Sequence, residues 1–502
     1  MGAPRAVEPP FIVTVDVGSS SVRALCFDAR GRALPVEHQQ DYEPETTPDG
    51  GVEFDPERLV RLTGETLDGV VADLGPRADG VAAVAISTFW HTVLGVGADG
   101  RARTALYSWA DTRSAESVGV LRARLDEKTY HARTGCVFHT SYLPARILWR
   151  ATVDPAGFAA VRRWMSFGEY LQLRLFGETR CSISMASGSG LFDQHALRWD
   201  GPVLEAIGLT PDHLAPLTDL DAPLSGLRPP FAGRWPALAR RPWLPALGDG
   251  ACSNIGAGCH GPDRVALMVG TSGAMRVCWE TGAVTPPAGL WCYRVDRRRI
   301  LLGGALSNGG SVYHWLRETL QLGSPDAIER EIAAMPPDGH GLTVLPFLAG
   351  ERSTGWVATA RAAVVGLSLA TQPIEILRAG LETVAYRFAL IHARLAEACP
   401  RGAEIVATGG ALLASPAWTQ IMADVLGVPL RSSTEAEASS RGAALLALEA
   451  LGALPSLEAA PAGFGPTVRP DPARHAHYRQ GLARHRRLYD LLIPFYEERS
   501  SG

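Results

Sequence analysis

Asp249 stands between two glycines in "LGDGACSNIGAG" (247–258), and a run of small residues follows it. Glycine lets the backbone bend sharply and lets another molecule come close. This carboxylate is therefore either an idle turn-former or a base presented to a substrate. Two other stretches offer complementary chemistry. In "DVGSSSVR" (16–23) an acid at a strand end, Asp16, is followed by Gly18, Ser19 and Ser20, with Arg23 close behind. Backbone N–H groups and hydroxyls around one turn, with a cation nearby, suit phosphate oxygens. "GTSGAMR" (270–276) repeats the design with Gly270, Thr271 and Ser272. Either turn alone reads as an ordinary polar hairpin, whereas the pair reads as a clamp closing on a polyphosphate from both sides. A third glycine turn, Gly409-Gly410 in "TGGALLASPAW" (408–418), ends a buried strand just before a helix that starts near Ser415. Open α/β sheets bind ligands at such strand ends.

The elements that must carry these turns are legible in outline. "FIVTVDVGSSSVRALCFDARGRAL" (11–34) reads as strand, small-residue turn, strand, turn and third strand, and "RVALMVGTSGAMRVCWETGAV" (264–284) repeats it about 250 residues later. The repeat predicts an internal duplication. A proline-rich stretch (214–247) marks a connection. Helical spacing dominates beyond residue 310, in "SVYHWLRETLQ", "PIEILRAGLETVAYRFALIHARLAEAC" and "SPAWTQIMADVLG", while "AEIVATGG" reads as a buried strand. The expected organisation is a disordered 1–10, an α/β unit over 11–253, a second over 254–495 and a tail at 496–502, with Asp249 at the seam.

Composition removes whole classes. With 48 basic against 52 acidic residues and a net charge of −4, no nucleic-acid partner is expected. The arginine-rich "RHAHYRQGLARHRR" (474–487) reads as the solvated face of a terminal helix. The single lysine, Lys128, does not follow a glycine loop, which excludes a Walker-type NTPase. Eight cysteines without a CxxC pair suit reduced, buried thiols. No signal-peptide core and no uncharged apolar run of ~18 residues occurs, so a cytoplasmic protein away from the membrane is expected.

Taken together, these segments resemble the FGGY carbohydrate kinase family over nearly the whole chain, roughly residues 11–490. "DVGSSSVR" looks like its first phosphate motif, "GDGACSNIGAG" its catalytic-base segment and "VGTSGAMR" its second phosphate motif. "ATGGALLASPAWTQIMADVLGVPL" looks like its adenosine segment, and "EASSRGAALLA" (437–447) the helix that follows. The resemblance implies a duplicated, two-domain actin-like ATPase (ribonuclease H-like) fold of the α/β class. It further implies ATP as phosphoryl donor, Mg²⁺ held through waters by Asp16, and Asp249 as the base that takes the proton of a substrate hydroxyl. A carboxylate of ordinary pKa near ~3.9 suffices for that role, because phosphoryl transfer passes through a loose transition state. Gly18, Ser19, Ser20, Arg23, Gly270, Thr271 and Ser272 would face the phosphates, and Gly409, Gly410 and Ser415 the nucleotide.

For the sugar, "STFWHTVLGVGADG" (87–100) resembles the family segment whose histidine faces substrate, here His91, with Trp90 replacing the more usual methionine. "SWADTRS" (108–114) resembles a Trp-x-Asp-x-Arg element and supplies Trp109, Asp111 and Arg113. The gluconate-kinase branch is the nearest in pattern, and Arg113 could pair a gluconate carboxylate in bidentate fashion. "PFLAGERSTGWVATARAAVVGL" (346–367) keeps the family's Gly-Glu-Arg but has Thr354 in place of proline and Val357 in place of aspartate. Xylulose is the alternative substrate. A reading of another class, a non-catalytic actin-like nucleotide switch, would need no sugar-sized polar pocket. The resemblance also admits a homodimer, since many relatives are dimeric, although the sequence identifies no interface.

Overall fold

The computed structural model describes residues 7–282, 284–399 and 403–498. Each lobe is built on one sheet. In the first, β1 (Phe11–Val17), β2 (Ser21–Phe27) and β3 (Ala33–Asp41) form an antiparallel meander. β4 (Val81–Thr88) and β5 (Leu247–Gly248) continue it in parallel, giving the order β5-β4-β1-β2-β3. In the second, β6 (Arg264–Val269), β7 (Gly273–Glu280), β8 (Trp291–Arg294) and β9 (Arg299–Leu306) are antiparallel neighbours. β10 (Glu404–Thr408) and β11 (Leu430–Ser433) run parallel to β6, and β12 (Phe464–Val468) closes the order β8-β9-β7-β6-β10-β11-β12. The run β11-β10-β6-β7-β9 repeats β5-β4-β1-β2-β3, so the duplication read from two hairpins extends to whole sheets. The central strands are apolar without alternation because helices cover both faces.

Helix boundaries follow local chemistry. α1 (Pro56–Leu74) starts on Asp55, whose carboxylate accepts from the Glu57 amide, with Pro56 in the first turn. α2 (Asp249–Gly256) begins at the acid itself. α3 (Pro373–Leu395) and α4 (Pro416–Leu426) pack on each other in the second lobe, as their spacing predicts.

Four features differ from the expected division. α5 (Ala438–Ala450), expected in the second unit, lies in the core of the first, where Ala443–Leu448 are buried against β1, β4 and α2. The boundary near 253 falls inside α2. The proline-rich stretch is no free connection: Trp235 and Trp243 are buried in the first lobe's core. α6 (Pro472–Glu498) continues through the start of the expected tail. Residues 1–6 and 499–502 lie outside the described residues, while the Glu8 carbonyl accepts from the Ala29 amide (3.0 Å).

α5 reaches the first lobe through two glycines. A Cβ on Gly256 would sit 1.8 Å from the Ala438 carbonyl oxygen, and one on Gly442 would sit 1.8 Å from that of Cys252. α2 and α5 therefore cross backbone to backbone. Arg441 stitches the crossing by donating to the carbonyls of Gly31 (3.1 Å), Gly256 (2.6 Å) and Ala460 (3.0 Å). Gly442→Ala should force the helices apart, costing about 1–3 kcal/mol and lowering turnover, because α2 carries Asp249. Thermal denaturation and steady-state assay check this; an unchanged midpoint would show that the crossing can relax.

Candidate active site

Parallel pairing brings three chain segments to one edge of the first sheet. Asp16 on β1 is level with Ser87 on β4, and Ser87 is level with Leu247 on β5. One residue past β4 the chain reaches Phe89-Trp90-His91, and one residue past β5 it reaches Asp249. The second sheet presents its own turn opposite. Gly18 N donates to Ser21 O (2.9 Å) in one hairpin and Gly270 N to Ser272 O (3.0 Å) in the other. Between them lies a cavity of about 460 Å³ that is lined by Asp16, Asp249, both turns, Arg23 and the 89–91 segment. Cβ atoms at Gly18 and Gly270 would meet nothing nearer than 3.6 Å, so the space above both turns is open.

The two carboxylates are in unusual surroundings. Burial raises the Asp16 carboxyl to about 6; the Ser87 hydroxyl and the Arg23 charge oppose this, while Asp249 adds to it. Its Oδ1 is buried with no hydrogen-bond partner. Asp249 is also raised by burial, against the Arg276 charge and the Gly250 amide (2.7 Å). An ordinary carboxylate pKa would suffice for a late proton transfer, and desolvation raises that of Asp249 above it. Arg23 is ion-paired with Glu437 (2.8 Å), just ahead of α5.

The glycines that flank Asp249 have a structural cause. A Cβ on Gly248 would lie 1.9 Å from the Trp90 ring, and one on Gly250 would lie 2.8 Å from it. The indole, fixed by its N–H on Ser184 O (3.1 Å), thus packs directly on the acid's backbone. His91 follows at φ 62°, a conformation uncommon outside glycine. Buried Arg146 holds it by donating to the carbonyls of His91, Ser141, Tyr107 and Ser108. Burial and the Arg352 charge hold the His91 imidazole well below its usual pKa. Neutral, it donates from Nδ1 to Gly188 O (2.6 Å), which leaves Nε2 an acceptor.

Trp109 lines the same cavity, but Asp111 and Arg113 do not. Arg113 binds Asp111 (2.5 Å) and Glu53 (2.6 Å) and stacks over Trp149 (4.7 Å), while fully buried Asp111 also accepts from the Val52 amide (3.3 Å). These two residues satisfy each other beside the Trp109 loop, and the structure does not bring the substrate contact expected of them into this cavity. Gly409, Gly410 and Ser415 also lie outside this cavity, beside its second-lobe wall. Gly409, at φ 90°, allows close approach to Val269 O, and a Cβ on Gly410 would meet nothing. The Ser415 hydroxyl is occupied, capping α4 through the Trp418 amide (3.0 Å) and donating to Glu329 (2.7 Å). Of the three family departures only Trp90 faces the cavity; Val357 lines a separate groove beside Trp356. Sequence reasoning passed over Arg276, Arg352, Trp291 and Tyr293, which complete the far wall. Arg276 and Arg352 sit inside motifs that were quoted, yet nothing local distinguishes them from other arginines.

A duplicated two-lobed α/β fold with glycine-serine turns facing each other across a buried acid defines a phosphoryl-transferring ATPase-type kinase. Family models agree: the N-terminal domain of the FGGY family of carbohydrate kinases matches residues 11–256 and its C-terminal domain residues 265–451. The chain belongs to this family. Gluconokinase of Bacillus subtilis (strain 168) is 26% identical over 92% of either chain. Gluconate kinase and a xylulose kinase, both from Lactobacillus acidophilus, each superpose with a TM-score of 0.88 at 27% identity, over 97% of this chain and 99% of theirs.

Gly248→Ala should reduce kcat at least ~10-fold, since a displacement near 1 Å at the reacting group costs that much or more. Adding Trp90→Met should recover part of the loss by freeing space. Wild-type turnover in Gly248→Ala, or no recovery in the double variant, would separate Trp90 from the placement of Asp249.

Proposed function

We propose that the protein transfers the γ-phosphoryl group of ATP to a hydroxyl of a small sugar acid, converting D-gluconate to 6-phosphogluconate, in the cytoplasm. The observation that carries this reading is the single cavity in which Asp249, the partnerless oxygen of Asp16 and both glycine-serine turns meet. The turn amides and hydroxyls receive the phosphates, with Arg23 exchanging Glu437 for them. The nucleotide then extends toward the open space at Gly410. The unpaired Asp16 Oδ1 fits a hydrated divalent cation, and Mg²⁺ bound there would offset the charge of the phosphates. Asp249 orients the attacking hydroxyl and accepts its proton as the new O–P bond forms and ADP leaves. In a loose transition state that transfer comes late, and its contribution is ~10²–10⁴-fold. His91 Nε2 is an acceptor for a second hydroxyl, and Trp109 covers an apolar C–H face. The free, mostly buried thiols suit a reducing compartment.

Xylulose is the second reading, favoured by the equal superposition on a xylulose kinase. ADP release from Mg-ATP against gluconate, xylulose, ribulose, glycerol and erythritol separates the two. A response to gluconate supports the first reading, and a response to xylulose alone replaces it. Asp249→Asn should lower kcat at least ~10²-fold while nucleotide affinity survives. Retention of most turnover would remove Asp249 from the role of base.

A further inference from the structure

Most buried arginines in this protein are visibly neutralised or saturated. Arg299 meets Asp296 and Glu449, Arg378 meets Glu382, and Arg387 meets Glu351. Arg146 has four carbonyls on its two terminal nitrogens, although its Nε, like that of Arg387, has no partner. The two arginines on the second-lobe wall of the cavity differ. Arg276, 5% exposed on β7, donates from Nη1 to Gly250 O (2.6 Å), and its Nε has no partner. The side chain of Arg352, a residue 9% exposed, forms no hydrogen bond or ion pair among the described residues, and its Nε is likewise buried and unpartnered. It is held by ring faces alone, 5.5 Å from Trp109 and 5.8 Å from Trp356. The acid next to it in the chain, Glu351, is engaged by Arg387, Tyr489 and the Gly355 amide. The two guanidinium groups are close enough for the Arg352 charge to act on Arg276.

The Asp249 carboxylate across the cavity acts on both guanidinium groups but pairs directly with neither. Two buried like charges that share one carboxylate at a distance are costly unless an anion completes them. A third donor points the same way: the Trp291 indole N–H is buried, unpartnered and on the same cavity wall. Phosphate oxygens already have the turn amides at the other end, whereas Arg352 is bracketed by Trp109 and Trp356 and acts on His91.

We propose that Arg276 and Arg352, with the Trp291 N–H, are the receptor for the carboxylate of an acidic sugar substrate, and that this pair rather than Arg113 selects a sugar acid over a neutral sugar. The assignment rests on the sugar-acid reading above and adds the residues that enforce it. Arg276, which also touches the backbone beside Asp249, links acid recognition to the placement of the base.

The test compares kcat/KM for D-gluconate and for D-glucitol, in which a hydroxymethyl group replaces the carboxylate, in wild type, Arg352→Gln, Arg276→Gln and Arg113→Gln. Wild type should prefer gluconate by at least ~10²-fold. Each cavity variant should lose ~10²-fold on gluconate and less than ~10-fold on glucitol, collapsing the ratio, as loss of a buried charge partner predicts. Arg113→Gln should move both substrates together. Should a Gln variant not fold, the Lys variants carry the comparison, because lysine keeps the charge but not the two-pronged geometry; the ratio should then fall ~10-fold. Parallel losses on both substrates in Arg352→Gln or Arg276→Gln would overturn the assignment and leave gluconate as substrate. Wild type that ignores gluconate and phosphorylates xylulose would overturn the substrate reading and the assignment together.

Discussion

The site depends on the register of three parallel strands. Asp16, Ser87 and Leu247 lie level across β1, β4 and β5, so each chain leaves the sheet at the same edge and delivers an acid, an aromatic-histidine pair and a second acid there. A slip of one residue would turn every side chain to the opposite face and carry Asp16 away from the cavity. The backbone crossing of α2 and α5 at Gly256 and Gly442 then sets how Asp249 meets the edge. The geometry of the cavity edge is thus a by-product of core packing.

Charge is divided between the lobes. The first supplies both cavity carboxylates, each raised by burial. The second contributes Arg276 and Arg352 to the facing wall without ion-pair partners. Asp249 and Arg276 offset each other only from a distance, and buried charges without a direct partner are destabilising. Each set is complementary to something that would arrive: a cation and a hydroxyl proton on one side, an anion on the other.

Much of this was legible in the sequence. The strand–turn–strand repeat foretold both sheets, and the spacing of Asp16, Asp249 and the glycine turns foretold the cavity. What escaped has a common character. An Asp-x-Arg pair looks the same whether it faces a ligand or itself, and Asp111 and Arg113 face each other. α5 follows second-lobe elements in sequence but packs in the first lobe, because an Ala-Leu helix with one glycine fits any close backbone. Arg276 and Arg352 stand out by the ion-pair partners they lack, a property that one-dimensional spacing does not record.

Trp90 shows why the departures from the family pattern carry unequal weight. Thr354 and Val357 stand away from the cavity: the Thr354 carbonyl packs against Gly289, and Val357 belongs to the groove behind Trp356. Trp90 faces the cavity, rests on the backbone of Gly248 and Gly250 and stands edge-on to Tyr293 (5.0 Å). A flexible methionine could fill that position in many shapes, whereas an indole fixed by Ser184 can fill it in one. The wall beside Asp249 is therefore held by packing and by one hydrogen bond of the indole.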